Sequence, residues 1–309
     1  MKPLVILLAL FIPSLSFAWL PEQDKPFLSK EFNASGIEQI GLETAGISIN
    51  ISSWTEDRVL VEVFAMRDNQ AVSSNDAQLL KKLEAYDFQI EQVGEKIELK
   101  VDQSKKSGIK MSRDNIVLLI KIQTPQDISS KIQSTGGAVT LAGLQGKQQI
   151  ISKGGSLRVI QGTGTIQSET QGGSILVDSY KGELNLSSAG GSVRVEKFSG
   201  ILDINSAGGS LNLFDLSGKI SAEAAGGSIR ASFQEKLESV NLSSKGGSID
   251  ALLPKGMGMN VLFKGSIVVN NHPNFEGEIK RSQVSGSING GGIPIVFETS
   301  GANVRVDYR

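Results

Sequence analysis

Pairs of adjacent glycines recur along the second half of this chain at a fixed interval of 18 residues, which lengthens to 20 only before the last pair. Fixed self-similarity on this scale is typical of repeat proteins, in which each repeat forms one structural unit. A unit of 18 residues cannot close a hydrophobic core by itself, so the units are expected to stack on one another. The pairs begin at Gly136, Gly154, Gly172, Gly190, Gly208, Gly226 and Gly246.

The residues between the glycine pairs alternate in polarity. Each pair is followed by a small, an apolar, a variable and an apolar residue, as in Ser192-Val193-Arg194-Val195. Alternation with a period of two predicts a half-buried β-strand. A single glycine comes later in the repeat, as at Gly182, and a second alternating strand follows it. In that strand apolar and small positions such as Leu184 and Ser188 are predicted to face inward, and polar positions such as Asn185 to face solvent.

The sequence therefore predicts an all-β fold, a single-stranded β-helix (β-solenoid) with 18-residue coils and a small helical insertion near the N-terminus. Each coil consists of a strand, a corner, a second strand and a Gly-Gly corner, and successive coils lie ~4.8 Å apart. The glycines are expected to supply positive φ angles at the corners. The pattern leaves the handedness of the helix open.

The two ends of the chain depart from the strict repeat. Residues 44–51 copy the pattern of residues 206–213, so the solenoid is expected to begin there and then to be interrupted. Helical spacing over residues 75–86, with Ser74 or Asn75 as the N-cap, predicts an insertion that covers this end. Near the other end we expect a loop over residues 270–276 and two closing strands over residues 290–306.

The first residues carry the features of a secretory signal. Lys2 precedes the apolar run Leu4–Ile12, and the small residues Ser16 and Ala18 follow it, which predicts cleavage after Ala18. The run is about half of the ~20 residues that span a bilayer, so no transmembrane segment is expected after cleavage. The resulting division is a signal peptide (1–18), an N-terminal start of the solenoid with the helical insertion (19–130), and regular repeats with closing coils (131–309). The chain is predicted to be exported to the periplasm or the cell surface.

Composition removes several kinds of chemistry. Cysteine is absent, which excludes disulfides and thiol nucleophiles, and the net charge of −1 argues against a nucleic-acid partner. The basic cluster within residues 105–113 is interpreted as a solvated loop, and His272, the only histidine, as a loop residue. Serine rather than aspartate follows most glycine pairs, so no calcium array is expected. We predict no cofactor, no metal and no enzymatic activity.

Arginine recurs at one outward position of the first strand in every second coil. Arg158, Arg194 and Arg230 would stand about 9.6 Å apart on the stack. Such a stripe could bind a polyanion such as an acidic polysaccharide. Alternatively, alternating arginines keep an exposed strand soluble without placing like charges side by side, and this second interpretation is favoured.

The whole layout resembles the bacterial DUF4097 family of β-strand-repeat proteins, many of which are described as candidate adhesins. The resemblance rests on a strand that ends in Thr124-Pro125, the Gly-Gly-Ser coils, and the closing segment over residues 290–301. It implies a β-helix at the bacterial envelope. The predicted function is non-enzymatic, adhesin-like binding or scaffolding, with a glycan or an envelope protein as the partner. The alternatives are a polysaccharide-active β-helix enzyme and an accessory protein in envelope-stress sensing.

Overall fold

A computed structural model describes residues 26–68, 70–72, 76–84, 86–103, 116–269 and 272–309. Most of these residues lie in 21 strands that join into one continuous hydrogen-bonded sheet, accompanied by one helix. The prediction of an all-β solenoid is confirmed. The predicted signal peptide, the predicted caps Ser74 and Asn75 and the basic cluster within 105–113 lie outside the described residues.

The strands and the single helix fall into three consecutive parts of the chain. The first part contains β1 (Leu28–Asn33), β2 (Gln39–Thr44), β3 (Ser48–Ser53), β4 (Arg58–Arg67), β5 (Gln70–Ala71), α1 (Ala77–Leu83), β6 (Tyr86–Val93), β7 (Lys96–Gln103), β8 (Ile116–Thr124) and β9 (Ser129–Ser134). The repeats contain β10 (Val139–Ala142), β11 (Lys147–Ser152), β12 (Leu157–Thr170), β13 (Ile175–Ser188), β14 (Val193–Ser206), β15 (Leu211–Ala224) and β16 (Ile229–Ser244). The last part contains β17 (Ile249–Leu253), β18 (Met259–Val269), β19 (Phe275–Lys280), β20 (Gln283–Ile288) and β21 (Ile293–Tyr308).

The central coils stack in parallel and in register. Each strand from β12 to β14 pairs along its length with the next, so that Val177 faces Val195 and Val195 faces Leu213. Strand β15 pairs with β16 on both faces, with register shifts at the corner between Leu213 and Lys219. We call the half of each coil that follows a Gly-Gly pair the first face, and the half that follows the single glycine the second face. The inward columns predicted on the second face are buried, as at Leu184 and Ser188. Stacking equivalent residues thus builds one continuous apolar core between the two faces.

The Gly-Gly corners correct one expectation. Of the seven pairs, only the first contains a residue in the left-handed region, at Gly137, whereas the single glycines such as Gly182 (φ 137°) do have positive φ. The second glycine of a pair is required instead because the backbone of the neighbouring coil comes too close to leave room for a side chain. A Cβ on Gly191 would lie 2.7 Å from the backbone nitrogen of Ser174 and closer still to the carbonyl of Gly173. The absence of a side chain therefore lets the stacked corners touch backbone to backbone.

The other corner contains a left-handed residue that is not glycine, three positions before each single glycine. Equivalent positions in four successive coils have left-handed φ angles between 48° and 59°, and they are occupied by Gln161, Ser179, Lys197 and Asp215. This conformation costs an ordinary residue about 1–2 kcal/mol relative to the right-handed region. The sequence predicted a corner here but not its left-handed residues, because these four residue types share no chemistry that indicates a positive φ.

Replacing Lys197 by glycine is expected to raise the free energy of unfolding by about 1 kcal/mol, since glycine adopts its φ of 51° without strain. The matched control is Ser199→Gly, two residues along the same strand, where φ is not positive. This substitution should lower the free energy of unfolding by about 0.5–1 kcal/mol. Urea unfolding of the three proteins measures the difference. A loss of stability in Lys197→Gly would contradict the assignment of the corner.

The N-terminal end is built out of chain order. The coil formed by β2 and β3 lies between the coil of β9 and β10 and the strands β7 and β8, so that Asn50 pairs with both Thr140 and Lys121. Strands β2 and β3, which contain most of the segment expected to form an early coil, thus lie within the stack rather than at its end. Antiparallel strands β4, β1 and β6 complete this end. Helix α1 is capped by Asp76, whose carboxylate accepts from Leu79 N at 3.0 Å, and it buries the Leu79 side chain.

The C-terminal end differs from the prediction. The segment expected to form two closing strands is one strand, β21, and it lies inside the stack. Its first half pairs with β16 on one side and β18 on the other, and its second half lies between β17 and β18. The stack ends instead in the antiparallel strands β20 and β19, so the expected loop over 270–276 gives way to a strand at Phe275. Within the described ranges, no helix combines the length and apolar character that crossing a membrane requires.

Candidate binding face

The predicted arginines lie in one outward column of the first face. Arg158 pairs in register with Leu176, and the column continues through Arg194, Asn212 and Arg230. All three arginines are exposed, and each inward neighbour, such as Val195, is buried. The predicted alternation over every second coil is thus present in the structure, at a spacing of about 9.6 Å.

A fourth arginine extends the column. Asp250 follows Arg230, and the inserted strand β21 then places Arg305 next to Asp250. Arg305 is exposed and continues the alternation, because it lies two coils beyond Arg230. Its local pattern, Val304-Arg305-Val306, matches the arginine strands of the repeats and could have indicated this role. The position within the column could not be predicted, since it depends on the insertion of β21 between earlier coils.

The arginines differ in their local partners. Arg194 donates from Nε to Glu196 at 2.7 Å, and its guanidinium lies 5.4 Å from the centre of the Phe214 ring. Among the described residues, Arg158, Arg230 and Arg305 form no ion pair. Three guanidinium groups are therefore available for a ligand, and the fourth is held in a fixed orientation.

Two further columns flank the arginines. On the side of the Gly-Gly corner runs a column of serines that are exposed or half-buried, with Ser156, Ser192 and Ser228 beside the arginine strands. On the other side, Asp178 and Glu196 occupy half-buried outward positions. An anionic ligand is consequently favoured along the serine side, where hydroxyl and guanidinium donors lie together.

Two aromatic residues near the corner between the two faces, Tyr180 and Phe198, have structural roles. Tyr180 and Phe198 are buried in the corner column, and the Tyr180 hydroxyl donates to Thr163 O at 3.0 Å. The ring of Tyr180 lies over Gly162, so a side chain at position 162 would collide with the ring. Burial raises the pKa of Tyr180 above its usual range.

His272 is more enclosed than a plain loop residue. Its ring is buried, its Nδ1 accepts from Asn274 N at 3.2 Å, and its Nε2 lies 3.1 Å from Lys255 O. The ring also meets Tyr308 edge-on at 4.9 Å, and burial raises the pKa of Tyr308 to about 12. These contacts fasten the loop before β19 to the end of β17 and β21. The described residues contain no group of three or more His, Asp or Glu side chains that could hold a metal ion.

Comparison with protein families matches residues 37–306 to the family model Toastrack DUF4097. The chain belongs to this family. The Toastrack model thus covers both the regular coils and the out-of-order strands at each end. Comparison with curated proteins found no match.

Comparison with solved structures found matches that include three bacterial proteins. A candidate adhesin from Bacteroides fragilis is 13% identical, with 91% of this chain and 96% of that one covered, at a TM-score of 0.45. A candidate adhesin from Parabacteroides distasonis is 12% identical, with 90% and 96% covered, at a TM-score of 0.44. A candidate cell adhesion protein from Clostridium sporogenes is 13% identical, with 92% and 100% covered, at a TM-score of 0.23.

Proposed function

We propose that this Toastrack protein is an exported, non-enzymatic binding protein that holds an acidic glycan of the bacterial envelope along its first face. The observation that carries the proposal is the arginine column, which the inserted strand β21 extends to Arg305 in the same alternation. A rigid stack fixes the spacing of these side chains, so little conformational entropy is lost when a regular polymer binds along them. Such a role is adhesin-like, because affinity comes from many weak contacts along one surface.

The electrostatics of the column favour a polymer over a small anion. Neighbouring arginines stand about 9.6 Å apart, slightly beyond the screening length of ~8 Å at physiological salt. Each guanidinium therefore acts as a separate site for one carboxylate or sulfate group. A single exposed pair of this kind contributes less than about 1 kcal/mol, so useful affinity requires several at once.

The test is binding to immobilised polygalacturonate and heparin, with dextran as the neutral polysaccharide. We expect salt-sensitive binding to the acidic polymers, and a loss of about tenfold or more when Arg158, Arg194, Arg230 and Arg305 are all changed to Ser. The control carries Ser at four exposed lysines away from the first face, Lys96, Lys131, Lys147 and Lys219, and should stay within about threefold of the parent protein. Unchanged binding by the arginine variant would contradict the proposal, as would cleavage of the polymers that one point mutation abolishes.

Export is tested separately. Cleavage after Ala18 gives a mature protein that begins at Trp19, which N-terminal sequencing of the protein from its own cells detects. Protease added to intact cells then distinguishes surface exposure, which adhesion requires, from a periplasmic location. A mature protein that retains residues 1–18 would contradict export by this signal.

A further inference from the structure

The last strand of the second face has a free edge. Strand β19 pairs with β20 on one side only, and no described strand pairs with its other side. Its outer backbone N–H and C=O groups are therefore open to a further strand. The second face also extends beyond the first face here, since β20 and β19 follow β18 on the second face while the first face ends at residues 266–269.

The inward side of β19 carries apolar side chains without full cover. Ile279 lies opposite Val284, which is buried, yet 56% of Ile279 remains exposed. The ring of Phe275 lies over the facing glycines Gly277 and Gly286 and is half-buried. The core of the stack thus continues onto this strand and stops at an uncovered edge.

The outward side of β19 carries charges of both signs. Glu276, Glu278 and Lys280 alternate with the apolar positions, and Lys280 Nζ lies 2.8 Å from Glu278 Oε1. A strand that pairs antiparallel with a copy of itself about Glu278 would place Glu276 opposite Lys280 twice and the two Glu278 side chains opposite each other on the axis. The ion pair of each Glu278 with Lys280 of its own strand offsets that single like-charge contact. The same register would set Ile279 beside Gly277 of the copy and against its Phe275 ring. This register keeps each set of side chains on its own face of the sheet: the charged residues of both copies point outward and the apolar residues point inward.

The opposite end of the stack finishes in β1 and β6, each of which also pairs on one side only among the described strands, but this end differs from the β19 end in what covers it. There α1 packs at the end of the stack through the buried side chain of Leu79, and Phe27 meets Phe88 edge-on at 5.5 Å. The edge strand β1 presents Lys30 and Glu31, both exposed, and Arg58 of the next strand binds Glu31. Of the two ends of the described stack, the β19 end therefore combines a free edge, uncovered apolar side chains and a register in which two Glu–Lys pairs outnumber one Glu–Glu pair.

We propose that two copies of this chain associate through β19, which pairs antiparallel with β19 of the second copy and continues the second face across a two-fold axis. The paired charges fix the register, and the contacts between Ile279 and Phe275 supply apolar burial. The end of one coil is smaller than a standard protein interface of about 1,600 Å², so association is weak and depends on concentration. The proposal is independent of glycan binding, since the arginine column lies on the first face.

Sedimentation equilibrium of the purified protein over a range of concentrations is the test. We expect a reversible dimer, and a rise of about tenfold or more in the dissociation constant for Ile279→Asp. The matched control is Ile201→Asp, which changes an isoleucine of similar exposure, 50%, in a central coil of the second face and should leave the constant within about threefold.

The charges test the register. Lys280→Glu should weaken the dimer by about tenfold, because it places Glu opposite Glu at two positions. Combining it with Glu276→Lys restores opposite charges, so the double variant should return to within about threefold of the parent protein. Both changes are at exposed positions, and circular dichroism confirms that the variants fold. A parent protein that remains monomeric at about 1 mM, an equal effect of Ile201→Asp, or failure of the double variant to recover would each overturn the proposal.

Discussion

Gly191→Ala is expected to lower the free energy of unfolding by about 4 kcal/mol or more, enough to prevent the central coils from stacking. The added methyl group would overlap the carbonyl of Gly173 and lie 2.7 Å from Ser174 N. Both obstacles are backbone atoms that are held in the neighbouring coil, so no flexible side chain can move aside. Relief requires the coils to separate, which would weaken the parallel hydrogen bonds between β13 and β14.

The neighbouring glycine provides the control. A Cβ on Gly190 would meet only Gln171 O, at 3.4 Å, which is an ordinary van der Waals contact. Gly190→Ala should therefore change the free energy of unfolding by about 1 kcal/mol or less. Thermal and urea unfolding of both variants measure the difference. If the two substitutions cost the same, close approach of the corners is not the reason for the second glycine.

The regular part of the fold could be predicted because each coil repeats the same environment. In-register stacking places residue n beside residue n+18, so the inward position of Leu184 and the outward position of Arg194 follow from one repeat unit. The same logic predicted the arginine column. It failed at the corners for a physical reason: close approach of two backbones and a left-handed residue such as Lys197 depend on three-dimensional geometry that residue type does not reveal.

The ends could be predicted only in part. The pattern of residues 44–51 indicated an early coil, and the helical spacing over residues 75–86 indicated the insertion that contains α1. The insertion of β2–β3 and of β21 between other coils was not visible, because any strand with the right alternation fits any position in the stack. As a result, Arg305 was missed as a member of the column although its own strand was recognised.

Strand β21 is the last strand in the chain but lies inside the stack. We therefore expect substitutions in it to cost as much stability as those in a central strand. Phe297 is fully buried, pairs in register with Leu242 of β16, and stacks on Phe263 of β18 with ring centres 5.0 Å apart. Phe297→Ala is expected to cost about 3–5 kcal/mol, as for a central core aromatic, because coils on both sides close the cavity. Val296→Ala, its half-buried neighbour on the outward side, should cost about 1 kcal/mol or less.

Hydrogen exchange provides the independent measurement. Amides of β21 are bonded within a sheet that continues on both sides, so they should exchange about as slowly as those of β14, whereas β19 at the free edge exchanges much faster. If β21 were instead a frayed terminal strand, its amides would exchange faster than those of β19, and Phe297→Ala would cost little stability. Slow exchange in β21 would mean that the last strand joins the arginine column and the core as firmly as the repeats do. The backbone at Arg305 would then be held as firmly as the backbone at Arg194.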